Sequence, residues 1–136
     1  MSIKSIELKF SEVGMTAPGQ PRKANYIPVA VLTFDNRKTK KRVYLEGMLE
    51  DKQSVNGYFG GQTFIVLHVD EEFRVFDLQG TFQGAVSAAE YGTPIDGGED
   101  CFILCKGRTI TRISDKGVVG RSRELTDEEY AKYFPE

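Results

Sequence analysis

The sequence predicts a mostly β fold: a single antiparallel β-sandwich or barrel-like meander of about six to nine strands, given ordinary strand and sheet dimensions, closed by a short C-terminal helix. Three observations carry this. Helical periodicity is scarce, whereas short apolar runs such as Val29–Phe34 and Phe64–Val69 recur between Gly, Asn and Asp. The last residues carry helix start and stop signals. With 136 residues the chain has the length of one domain, and surface scaling lets it bury about two-thirds of its unfolded surface. Residues 1–136 are therefore read as a single domain: an N-terminal strand and loop over 1–27, a meander over 28–123 and a helix over 126–134.

Ile3, Ile6, Leu8 and Phe10 alternate loosely and give a first strand over Ile3–Phe10. Pro18, Gly19 and Pro21 make Gly14–Lys23 the strongest loop signal in the chain. Pro28–Phe34 and Arg42–Leu49 read as strands flanking a hairpin tip over 35–41 that is rich in cations. Asn56-Gly57 is a preferred two-residue turn dipeptide, because both residues tolerate positive φ. Tyr58-Phe59-Gly60-Gly61 is then either an aromatic loop or the lead-in to the next strand. Phe64–Val69, Phe73–Leu78, Cys101–Lys106 and Thr109–Ser114 complete the strand set. Gly84–Tyr91 is open between a helical turn or two and a strand ending at Gly92. Thr126 with Glu129 three residues on forms a capping-box pattern, and Pro135 ends the helix. Leu125, Tyr130, Tyr133 and Phe134 give that helix one apolar face, and at such a length it must dock to be stable.

The chain also echoes itself. The stretch from Ile65 to Phe82 is followed 37 residues later by a parallel apolar pattern from Phe102 to Val119, with Leu67/Leu104 and Gly80/Gly117 the two identities. Such strand–turn–strand–turn units resemble the blades of β-propellers, although any antiparallel meander shares the pattern. Three units cannot close a propeller ring, so the expectation is two similar hairpins within a sandwich or barrel.

Catalytic equipment is thin. The single histidine, His68, removes most triads and His-rich metal sites. It occupies the place in the echo that Cys105 occupies in the second copy. A Cys–His couple is thus the sharpest enzymatic reading, with a carboxylate pair of unknown position beside it. Cys101 and Cys105 lie four apart in a strand, about 13 Å at ordinary rise and beyond disulfide reach, which fits a reducing compartment. Neither the cysteines nor Asp96–Asp100 have the spacing of a zinc or calcium site. Gly-rich phosphate cradles and Gly-x-Ser-x-Gly are absent. The expectation is a non-enzymatic protein with no cofactor and no metal.

Charge is the informative feature. A net charge of −2 hides opposed blocks: eight bases and four acids over 22–52, eight acids and one base over 53–100, and six bases and one acid over 101–123. Arg37, Lys38, Lys40, Lys41 and Arg42, joined by Arg108, Arg112, Arg121 and Arg123 from the tail strands, could bind a partner or an anion. Asp70, Glu71, Glu72, Asp96, Glu99 and Asp100 could form an acidic partner face. The leading expectation is a protein-binding domain, an inhibitor or immunity-type protein or an assembly subunit, whose partner is another protein or a second copy of itself. The alternative is a small anionic ligand, nucleotide- or phosphate-like, clamped by the cations. A pI near 5.5 and the lack of Trp argue against duplex nucleic acid. No apolar run approaches the roughly 18 residues of a membrane span, and the charged N-terminus lacks a signal-peptide core. The chain is therefore expected in the cytoplasm.

Overall fold

The computed structural model describes residues 2–15, 23–35, 40–47 and 49–134. Of the loop expected over Gly14–Lys23, the part around Pro18, Gly19 and Pro21 falls outside them, while Gly14, Met15 and Lys23 are strand; Arg37 and Lys38 at the hairpin tip also fall outside. The described residues form eleven strands in three antiparallel sheets. The first sheet is β1 (Ile3–Met15), β2 (Lys23–Phe34) and β3 (Lys40–Tyr44), paired in that order. The second is a meander of β4 (Val55–Gly60), β5 (Ile65–Val69), β6 (Glu72–Phe76) and β7 (Phe82–Ser87). One helical turn, α1 (Ala88–Tyr91), leads to the third. This is again a meander, of β8 (Thr93–Gly97), β9 (Cys101–Lys106), β10 (Thr109–Ser114) and β11 (Val119–Glu124). The helix α2 (Asp127–Tyr133) follows.

The mostly antiparallel β architecture with a C-terminal helix is as expected. Its layering is a stack of three sheets, and no closed barrel forms among the described residues. Ala30, Leu32 and Val43 of the first sheet pack against Ile65, Leu67, Val69 and Phe76 of the second. The other face of the second sheet, Phe64, Val66, Phe73, Val75 and Val86, packs against Phe102, Leu104 and Ile113 of the third. Strand β5 is thus covered on both sides, and this is why its sequence is a continuous apolar run rather than an alternating one. The far face of the third sheet carries Cys105 and Ile110 under Leu125, with Tyr133 of α2 packed on them.

The echo proves to be a repeat of whole sheets. Strands β6 and β10 begin 37 residues apart, as do β7 and β11, and the strand order is the same in both sheets. The β6–β7 and β10–β11 turns are built alike. Asp77 Oδ1 accepts from the Gln79 and Thr81 amides at 2.9 Å each. Ser114 Oγ accepts from Lys116 and Val118 at 3.2 and 3.1 Å. Asp and Ser do the same acceptor work there, so the likeness does not register as identity. The leucine identity faces the preceding sheet: Leu67 looks to the first and Leu104 to the second.

Two expectations change, the Asn56-Gly57 turn and the strand count, and two open readings resolve. Asn56-Gly57 is not a hairpin turn but lies inside β4 at a register shift, where the Asn56 amide donates to the Asp70 carbonyl at 3.0 Å. The extra backbone freedom that suits this dipeptide to a tight turn also suits it to a bulge. Tyr58–Gly60 is strand, and Gly84–Tyr91 is both things at once, the end of β7 and then α1. Strands β8 and β11 exceed the expected count.

Candidate functional site

The far face of the third sheet is where a fourth layer would sit. The residues of the second sheet that face the third have counterparts 37 positions on: Val66 becomes Ile103, Phe73 becomes Ile110, Val75 becomes Arg112 and Val86 becomes Arg123. Two valines of an inter-sheet core are thus replaced by arginines. Helix α2 covers only part of this face.

Three polar clasps hold the helix there. Arg108 donates to Asp127 Oδ1 at 2.7 Å and lies over the Tyr130 ring. Arg123 makes a two-pronged contact with Glu129, both bonds 2.7 Å. The Tyr133 hydroxyl donates to Asp96 Oδ2 at 3.0 Å. The expected capping box is present, Thr126 accepting from the Glu129 amide while Glu129 accepts from the Thr126 amide. Beside the helix, Ile103, Ile110, Arg112, Gly120, Arg121, Ser122 and Arg123 line a groove of about 560 Å³. Its floor is apolar and its rim cationic. Among the described residues Arg112 and Arg121 have no ion-pair partner.

The expected cationic cluster is therefore divided. Arg112, Arg121 and Arg123 converge on the groove, and Arg108 is engaged by α2. Lys40, Lys41 and Arg42 belong to β3 in the first sheet, with the second sheet between them and the groove. Lys40 lies 4.0 Å from Glu7. The acidic residues are divided too. Asp70, Glu71 and Glu72 sit at the β5–β6 turn, and Glu72 holds Arg74 at 2.7 Å. Glu99 and Asp100 sit at the β8–β9 turn, which bonds to the β4–β5 turn at the opposite end of the second sheet, Gln62 N donating to Glu99 O at 2.7 Å. Asp96 is taken up by Tyr133. The groove was hard to read in the sequence because β11 shows no apolar alternation.

His68 and Cys105 are not neighbours. His68 pairs with Phe73, ring centroids 4.4 Å apart, on the side of the second sheet that faces the third. Cys105 looks the other way, towards α2. Its thiol donates to the Gly107 carbonyl at 3.4 Å, and burial pushes its pKa up, opposite to what an activated nucleophile needs. Both cysteines are free thiols. Among the described residues no three His, Cys, Asp or Glu side chains are grouped to hold a metal ion, and no helix is long and apolar enough to cross a membrane.

Glu129 provides a pH handle on the site. The Arg123 guanidinium, aided by the Thr126 amide, holds its carboxyl down at about 2. A depressed folded-state value stabilises at pH above the ordinary carboxylate range near 4.3 and loses that contribution as pH falls through the folded value. Docking of α2 is thus expected to weaken between about pH 4.5 and 2. Near-ultraviolet circular dichroism of Tyr130 and Tyr133 should follow it. The difference between wild type and Glu129→Gln should vanish at the acid end of that window; a constant difference down to pH 2 would show that the pair does not hold the helix.

Neither a family model, nor a curated protein, nor a solved structure matches this chain.

Proposed function

We propose that this chain is a non-enzymatic protein-binding domain, an inhibitor or assembly subunit, that holds an acidic segment of a partner protein in the groove beside α2. The observation that carries the reading is the pairing of an apolar floor, Ile103 and Ile110, with Arg112 and Arg121, which have no ion-pair partner among the described residues. A surface maintained only for solubility has no need to line a groove with isoleucines as well as arginines. A partner segment that brings carboxylates to the rim and apolar side chains to the floor satisfies both. Arginine forks suit carboxylates, and such charge-assisted bonds are about twice as strong as neutral ones. Opposed charge also speeds encounter.

The test uses a fluorescein-labelled peptide alternating Glu and Val, read by polarisation at low salt. Arg112→Glu and Arg121→Glu are each expected to weaken binding about tenfold or more, the equivalent of about 1.4 kcal/mol. Lys40→Glu with Arg42→Glu, on the first sheet, should leave it unchanged. The reverse pattern would move the binding face to β3. Displacement of the peptide by inorganic pyrophosphate at equal concentration would favour a small anionic ligand instead.

A further inference from the structure

The last strands of the first and second sheets each receive a turn of the following sheet. The β6–β7 turn packs on the end of β3: Gly80 meets the Tyr44 carbonyl, and the Glu46 amide donates to Gly80 O at 2.9 Å. The β10–β11 turn packs on β7, where a Cβ on Gly117 would lie 3.0 Å from Gly84 Cα. Strand β11 is the last strand of the third sheet, and among the described residues no turn of a further sheet packs on it. All six of its residues are exposed. Only β10 pairs with it among the described residues, so its other edge offers a row of unpaired backbone groups.

We infer that β11 is a docking edge and that the acidic partner segment binds by joining the third sheet as a fifth strand. The inference rests on the reading above and adds to it the backbone conformation and register of the occupant. In an added strand every second side chain falls on the groove side, within cross-strand distance of Arg121 and Arg123. Carboxylates at alternate positions of the segment would therefore meet Arg121, and would reach Arg112 across β11. Ladder hydrogen bonds supply affinity and the arginines supply selectivity, as in other cases of strand addition.

Charge opposes the two simplest placements of a second copy of this chain. An antiparallel pairing of β11 with itself about Ser122 sets Arg121 opposite Arg123, and like charges directly opposed destabilise a ladder. Head-to-tail stacking fails for the same reason. The outer face of the first sheet carries Lys9, Lys40 and Arg42 against Glu7, and would meet Arg112 and Arg121. An acidic partner is the complement both edge and face accept.

The experiment compares the Glu/Val peptide with the same peptide N-methylated at alternate backbone nitrogens. N-methylation removes ladder donors and leaves every side chain in place. Both peptides are titrated by polarisation, and amide hydrogen exchange is followed in β11. The expected result is at least tenfold weaker binding of the N-methylated peptide, with slowed exchange in β11 on binding the plain one. Equal affinity of the two peptides, with β11 exchange unchanged, would overturn strand addition while the groove reading stands. Failure of both peptides to bind would overturn the groove reading as well, leaving β11 an edge whose arginines only guard it against aggregation.

Discussion

Phe102→Ala is expected to cost about 3–5 kcal/mol of folding stability, the range for truncating a fully buried aromatic side chain. Phe102 has no exposed surface. Its ring lies 5.1 Å from Phe59 and 5.7 Å from Phe64, with Phe73 at 6.5 Å. It is the third sheet's largest contribution to the interface with the second. The cavity left behind would be walled by β-strands from two sheets, whose ladders resist collapse, so the upper half of that range is expected. Urea unfolding measures this as a lowered midpoint at constant slope. Tyr44→Ala, on the exposed outer face of the first sheet, should change stability by no more than about 0.5 kcal/mol. A loss below about 1 kcal/mol for Phe102→Ala would mean that the two sheets do not share a core. The stacked arrangement, and the reading of the third sheet's far face argued from it, would then fail together.

Legibility followed burial. Strands β9 and β10 were read to their exact ends, because each places apolar side chains in a core between turn residues. The cap of α2 was read correctly because a capping box is a local chemical pattern independent of tertiary context. Strands β8 and β11 escaped for the opposite reason. β8 has no buried residue and contains Pro94 and Gly97, while β11 is exposed throughout; both are edges defined by backbone pairing to a neighbour rather than by their own composition. The repeat was half visible. Its apolar positions and Gly80/Gly117 stood out, whereas the shared turn chemistry of Asp77 and Ser114 did not, since the two differ in residue type and agree only in what their oxygens accept. The cations could not be sorted from sequence at all. Whether Lys40 and Arg121 share a face depends on the number of sheets between them, and that follows from strand order rather than from charge.

The glycines at the inter-sheet turns give the second large effect. Gly80→Ala is expected to cost about 2–4 kcal/mol, combining left-handed backbone strain of about 1–3 kcal/mol with a steric conflict between sheets. Gly80 sits at φ 90°, and a Cβ there would run into the carbonyl oxygen of Tyr44, a backbone atom that cannot swing aside as a side chain could. The hydrogen bond from Glu46 to Gly80 fixes the turn against β3 and blocks retreat. Gly107 separates the two causes. It also has positive φ, 64°, but a Cβ there meets nothing within 4 Å. Its counterpart 37 residues earlier is Asp70, which holds φ 53° with a side chain in place. Gly107→Asp should therefore lose about 1 kcal/mol or less, the low end of such backbone strain. If thermal or urea unfolding gave equal losses for Gly80→Ala and Gly107→Asp, the contact between the β6–β7 turn and β3 would carry no energy. A clear excess at Gly80 would show that this turn ties the second sheet to the first, a contact for which β11 has no counterpart among the described residues.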